Sequence, residues 1–212
     1  MKGIEDMITI RDAAPADAGR LLEIYDYYVR ETAISFEWVT PTLEEFQGRM
    51  KRTMARYPYL VAQEDGVVQG YAYAGPFVGR AAYDWSCELT IYLARDARGR
   101  GMGRRLYEAL EDALRKMGVL NLYACIGWPE REDEYLTANS ADFHAHLGFV
   151  KAGEFRNCGY KFGRWYHMIW MEKIIGSHGE NQKPVTRYAG SGPNARRLPP
   201  NPPCQENSGS PR

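Results

Sequence analysis

RDARGRGMGRRLYEAL, Arg95 to Leu110, sets three glycines two apart and then starts a helix. Glycine costs backbone entropy, so its repeated use at a helix start points to something that approaches the main chain closely. Two nucleotide-binding readings fail on spacing. A phosphate loop needs GxxxxGK[ST], and no Lys-Ser or Lys-Thr follows these glycines; a dinucleotide fingerprint needs GxGxxG, whereas Gly99, Gly101 and Gly103 read GxGxG. What remains is a strand, Leu89 to Leu93, a short turn, and a loop whose amide N–H groups sit at the positive end of a helix dipole. That arrangement binds a diphosphate. A glycine-rich turn without a ligand is the alternative that the motif alone leaves open.

Outward from this loop, strands and helices alternate. Upstream, MITIRDA (7–13) reads as a strand, and PADAGRLLEIYDYYVRET (15–32) as a helix opened by Pro15 with Leu21, Leu22, Tyr25, Tyr28 and Val29 at helical period. Thr42 and Glu45 stand at capping-box spacing and start a second helix. YLVAQED (59–65) and VVQGYAYAGPF (67–77), joined at Asp65-Gly66, predict an antiparallel hairpin, and SCELTIYLA (86–94) another strand. After the glycines, Met102, Leu106, Ala109, Leu110, Ala113, Leu114 and Met117 form one helical stripe. VLNLYACIG (119–127) reads as a buried strand, NSADFHAHLGF (139–149) as a short helix ended at Gly148, and FVKAGEF (149–155) and RWYHMIWMEK (164–173) as the last strands. The order β-α-α-β-β-β-α-β-α-β-β predicts an α+β fold on a mixed sheet.

Composition bounds what such a domain does. Lys plus Arg and Asp plus Glu are 27 each, so no net field favours nucleic acid or an anionic membrane. No apolar run approaches the roughly 20 residues of a membrane helix, and the N-terminus lacks a signal-peptide core; we expect a cytoplasmic protein. Cys87, Cys125, Cys158 and Cys204 lack CxxC spacing, and His144 and His146 stand two apart on a helix, so neither a metal site nor a disulfide framework is expected. After Gly176 the chain turns rich in Pro, Gly, Ser and Asn. That shift predicts one domain over 6–176 and a disordered tail over 177–212.

RGRGMG (98–103) fits the [Q/R]xxGx[G/A] coenzyme A signature, with Arg98, Gly101 and Gly103 at its defined positions. YAGPF and AYDWSCELTIYL, ANSADFHAHLGF, and GYKFGRWYHMIWMEK follow in the matching order, so over about residues 7–174 the chain resembles the GNAT N-acetyltransferases, in their phosphinothricin acetyltransferase-like branch. The resemblance implies a mostly antiparallel central sheet in which one strand splays from its neighbour. It implies acetyl-CoA as co-substrate, with the pantetheine arm paired to the backbone of Ile91, Tyr92 and Leu93 and the diphosphate on the amides of Gly99, Arg100, Gly101, Met102, Gly103 and Arg104. Arg98, Arg100 and Arg104 either add charge there or are solvated. Asn139 is expected to bond the pantetheine or hold its loop.

For the chemistry, the resemblance points to Glu88. A cationic amine must lose a proton before it attacks a thioester, and a carboxylate between Cys87 and Leu89 on a core strand is costly unless partnered or wet. Burial would raise its pKa into a useful range, and a backbone N–H near Ile91 would hold the oxyanion. His144 stands five residues after Asn139, where the wider family often has tyrosine, and is a candidate acid; packing is its other reading. Phe36, Phe77, Tyr83, Trp85 and Thr90 are expected to wall the acceptor pocket, and Arg80 to grip a carboxylate or to make an exposed salt bridge. The insertion WPEREDEYLT (128–137) reads as a solvated loop, or as a lid favouring cationic acceptors. The expected activity is acetyl transfer to a small amino-acid-like amine within a homodimer. A polyamine or aminoglycoside acceptor, or a coenzyme A sensor without turnover, are the alternatives, and nucleic-acid binding is a distant third.

Overall fold

Antiparallel pairing runs through nearly the whole of the sheet. In the computed structural model, which describes residues 8–190, seven strands lie in the order β1-β2-β3-β4-β5-β7-β6. They are β1 (Thr9–Asp12), β2 (Tyr59–Glu64), β3 (Val67–Pro76), β4 (Ser86–Leu93), β5 (Asn121–Trp128), β6 (Val150–Lys161) and β7 (Arg164–Ile174). Every neighbouring pair is antiparallel except β4 and β5. The expected element order is met, and β6 runs six residues past the expected Phe155, over an irregularity between Phe155 and Gly159.

Four helices flank the sheet: α1 (Ala18–Glu31), α2 (Leu43–Met54), α3 (Met102–Met117) and α4 (Asn139–His146). At α2 the capping box forms as its sequence demands, the Glu45 N–H donating to Thr42 Oγ1 and the Thr42 N–H to Glu45 Oε2. Adjacent strand residues point to opposite faces, and β4 shows which helix lies where. An added Cβ on Gly103 of α3 would touch Ile91, whereas the Tyr92 ring meets Tyr25 and Tyr28 of α1 at centroid distances of 4.9 and 4.8 Å. So α3 covers one face and α1 the other. Leu106, Leu110 and Leu114, on the predicted α3 stripe, are fully buried in the core.

The expected tail needs correcting over 177–190. Val185 is 2% exposed in the core, the Trp85 indole donates to Lys183 O, the Thr186 N–H reaches Met117 O, and the Tyr188 hydroxyl donates to Asp12 Oδ1. Polar composition misled because a single valine, a tyrosine and main-chain hydrogen bonds suffice to dock a short strap. Residues 191–212, with Cys204, and 1–7 lie outside the described residues. Cys87, Cys125 and Cys158 are free thiols, and no described helix is long and apolar enough to cross a membrane.

Candidate active site

β4 and β5 pair in parallel at Ser86–Asn121, Cys87–Leu122 and Glu88–Tyr123. Beyond Glu88 the pairing stops, although β4 continues to Leu93 and β5 to Trp128. The strands part there, and two hollows occupy the gap. One, of about 390 Å³, is lined by Glu88, Thr90, Phe36, Tyr107 and His144 among others. The other, of about 340 Å³, is lined by Ile91, Leu93, Arg98, Gly99 and Asn139 together with Tyr28. Because the gap passes through the sheet, Tyr25 of α1 and Tyr107 of α3 line the same cavity from opposite faces.

Strand geometry sorts the backbone groups expected to pair with pantetheine. The Ala94 N–H bonds Gln69 O next to β3, so by alternation Ile91 and Leu93 turn their groups to the gap and Tyr92 turns its own to β3. Tyr92 is therefore corrected from a gap-facing partner to a β3-ladder residue. At Leu93 the Tyr28 hydroxyl already serves, donating to the carbonyl at 2.7 Å and accepting from the N–H at 3.1 Å. Ile91 keeps the gap-facing position.

The glycines divide into two roles. Gly99 and Gly101 have φ of +74° and +80°, left-handed values that favour glycine, and a Cβ on either would meet nothing within 4 Å. Gly103 is a packing glycine, since a Cβ there would sit 3.0 Å from the Phe143 ring of α4. No side chain caps the N-terminus of α3 at Gly101, and no acidic residue occupies its first turn. Uncapped amides beside two open glycines fit a phosphate group. The flanking arginines have other contacts. Arg98 lies over the Tyr27 and Tyr28 rings, Arg100 pairs with the nearly buried Glu64, and Arg104 faces Glu108 at 4.0 Å. Met102 sends its side chain into the core.

In the first hollow, burial pushes the Glu88 carboxyl up from its ordinary value. His144 is 3% exposed. Its Nδ1 lies 2.6 Å from Ser140 O, which can only accept, so Nδ1 carries the proton. Nε2 then accepts from the Tyr107 hydroxyl at 2.8 Å. Burial lowers the imidazole to about 4, leaving it neutral at pH 7 with no proton on the nitrogen that faces Tyr107. The hydroxyl that does carry one belongs to Tyr107, itself pushed upward by burial first and then by the charge of Glu88. Sequence reasoning missed Tyr107: on a buried helix face a tyrosine looks like any core aromatic.

Of the expected acceptor wall, Phe36 and Thr90 line the cavity with Glu88. The others are elsewhere within this chain. Phe77 stacks on Tyr123 at 4.1 Å and meets Trp170 edge-on, with Tyr83 against it. Arg80 lines a separate hollow with Arg52 and Arg56, and Trp85 holds the C-terminal strap. Instead Tyr25, Ser35, Glu37 and Cys125 line the cavity, and Glu37 is held by Arg49 at 2.5 Å. The acidic insertion is tied down. Asp133 accepts the N–H groups of Tyr135 and Leu136 and the Tyr166 hydroxyl, Arg164 spans Asp133 and Glu134, and Glu132 accepts the Ala138 N–H.

Known proteins share this arrangement. The acetyltransferase (GNAT) domain model matches residues 10–170. A phosphinothricin N-acetyltransferase of Streptomyces viridochromogenes is 35% identical over 78% of this chain and 87% of its own. An L-methionine sulfoximine/L-methionine sulfone acetyltransferase of Salmonella typhimurium is 31% identical over 81% of this chain and 96% of its own. Among solved structures, a phosphinothricin acetyltransferase of Sinorhizobium meliloti in complex with acetyl-CoA superimposes with a TM-score of 0.76 at 33% identity, covering 85% of this chain and 98% of that one. A parted parallel strand pair, a glycine loop on an uncapped helix and a family match spanning the domain lead to one conclusion: the chain belongs to the GNAT family and is an acetyl-CoA-dependent N-acetyltransferase.

Proposed function

We propose that the enzyme acetylates the α-amine of a small amino-acid-like acceptor of the phosphinothricin or methionine sulfone and sulfoximine type, by direct transfer. The observation that carries this reading is the position of Glu88, a carboxyl raised by burial, in a cavity that shares Ile34, Ile91 and Ser140 with the neighbouring cleft at the glycine loop. Acetyl-CoA supplies the activated acyl group. Ile91, Arg98, Asn139 and the amides of Gly99 to Arg104 would hold it, with Leu93 lining the cleft. Glu88 takes the proton of the acceptor ammonium, directly or through water, so that a neutral amine attacks. Its attack on the thioester carbonyl forms the amide bond and breaks the C–S bond. Coenzyme A leaves as its thiolate, while the proton lost by the amide nitrogen passes to solvent or to that thiolate. The Tyr107 hydroxyl, its own hydrogen bond donated to the neutral His144 ring, lines the cavity. Phe36 and Thr90 wall the acceptor.

The curated relatives named above act on compact amino acids, and the acidic insertion supports the same class, because Glu132, Asp133 and Glu134 are engaged within the domain. They are not arrayed as an acidic mouth for a polycation. We further propose a cytoplasmic homodimer. Trp38, Phe155, Tyr160 and Trp165 are exposed on and beside the β6–β7 hairpin, and such a patch marks an interaction surface.

A thiol-release assay tests the acceptor class. Phosphinothricin, methionine sulfone and methionine sulfoximine are expected to be acetylated faster than spermidine or an aminoglycoside. Glu88→Gln is expected to lower kcat by roughly 10²-fold with acetyl-CoA affinity unchanged, the low end of general-base catalysis. A preference for spermidine refutes the acceptor class; wild-type turnover in Glu88→Gln refutes the base.

A further inference from the structure

One buried charge plays no part in the chemistry above. Lys161, the last residue of β6, is 3% exposed, and lysine is almost never so buried unless paired. No described carboxylate lies within ion-pair distance of it. Its Nζ donates instead to three main-chain oxygens, Val29 O at 2.7 Å, Thr32 O at 2.8 Å and Ser35 O at 2.6 Å. Three donors meet three acceptors, so the ammonium is fully satisfied. Burial lowers it to about 8, which leaves it protonated at neutral pH.

The oxygens it gathers explain its use. Val29 lies in the last turn of α1, where carbonyls lack helical partners and the dipole favours a cation. Thr32 and Ser35 lie in the segment that follows, which supplies Ile34, Ser35, Phe36 and Glu37 to the acceptor cavity. Without the ammonium, three carbonyls at the root of that segment would be buried and unpaired. Other contacts of the segment converge on the same geometry. The Ser35 hydroxyl bonds the Tyr25 hydroxyl at 2.8 Å, and the Ala33 N–H bonds Tyr135 O at 3.0 Å. Phe36 packs onto Gly159, also of β6, where an added Cβ would lie 2.4 Å from the ring. β6 thus reaches the cavity wall twice, with a cation at its root and a glycine under its aromatic ring.

We infer that Lys161 is a positioning residue for acceptor recognition: from β6 it fixes the Thr32–Glu37 segment as one wall of the acceptor cavity. The inference rests on the reading that this cavity takes the acceptor. Lys161 touches no reacting atom, so its removal acts on acceptor binding, while the glycine loop and Glu88 keep their places.

The test compares Lys161→Met, which keeps length and an apolar stem, Lys161→Arg, which keeps a cation with several donors, and Gly159→Ala, which pushes on Phe36 and leaves the lysine intact. Thr90→Val probes the cavity itself. In Lys161→Met the KM for methionine sulfone is expected to rise about tenfold or more, equivalent to about 1.4 kcal/mol. Its kcat should stay within about threefold and the acetyl-CoA Kd, by calorimetry, within about twofold. Lys161→Arg should recover at least part of the KM, and Gly159→Ala should give the same acceptor-only defect even if Lys161→Met fails to fold. An unchanged acceptor KM in Lys161→Met or Gly159→Ala, with Thr90→Val raising it, overturns the inference and leaves the cavity assignment standing. Equal losses of acceptor and acetyl-CoA affinity in Gly159→Ala and in folded Lys161→Met also overturn it, since they mark general loosening. An unchanged KM in Thr90→Val as well removes the cavity assignment, and the inference with it.

Discussion

His144 shows how far a single residue can be read from its letter. Its position five residues after Asn139 made it a candidate acid, and the site does contain it. Its protonation state was illegible, because burial and the Ser140 carbonyl set it, and both come from tertiary packing. The same burial makes a pH prediction. The folded imidazole titrates at about 4, below the ordinary 6.5, so between these values the unfolded chain binds a proton that the folded one refuses. Stability contributed this way is present above pH 6.5 and is lost as pH falls toward 4. Between pH 6.5 and 5 the wild type should lose about 1.5 kcal/mol more than His144→Gln, by urea titration. Asp17 and Asp133 are held below the ordinary carboxylate range by their arginine partners and other hydrogen bonds, so they titrate beneath this window. Parallel curves for the two proteins would show that His144 is not neutral in the fold. Arg80 carries the opposite lesson: its charge was legible, its hollow was not, because the loop after β3 decides which cavity a side chain enters.

At the scale of elements the periodicities sufficed. α3 carries its apolar stripe and β5 alternates buried with less buried residues, while turns and caps bound the other elements, so their order followed from the letters, down to the capping box at Thr42. The parting of β4 from β5 is different, since a strand that loses its partner keeps the same side chains; here the family resemblance supplied what the pattern could not. The glycine loop was half legible. Its three glycines looked equivalent, yet Gly103 serves packing against Phe143, while Gly99 and Gly101 hold left-handed backbone beside open space. Gly101→Val is therefore expected to do two things. It should strain a φ of +80° and put methyl groups over the uncapped amides of α3, raising the acetyl-CoA Kd about tenfold or more, equivalent to about 1.4 kcal/mol. Calorimetry showing wild-type affinity would separate the loop from acetyl-CoA binding.

At the scale of the whole molecule, the chain extends past the domain that its relatives share. The family match ends at 170, and the strap over 177–190 then returns to pin Met117, Trp85 and Asp12. Removing residues 177–212 is expected to lower Tm by about 5 °C or more, from the loss of a buried valine and several hydrogen bonds, with acetyl-CoA affinity unchanged. An unaltered Tm would make the strap dispensable. The parted strands also have a mechanical meaning. Three residue pairs join β4 to β5, so the sheet is two leaves on a short hinge, one of β1–β4 and one of β5–β7. Acetyl-CoA held in that gap would lie between the two leaves and take the place of the rungs that the ladder omits, so its binding is expected to slow amide hydrogen exchange along β4 and β5 beyond Glu88 and Tyr123.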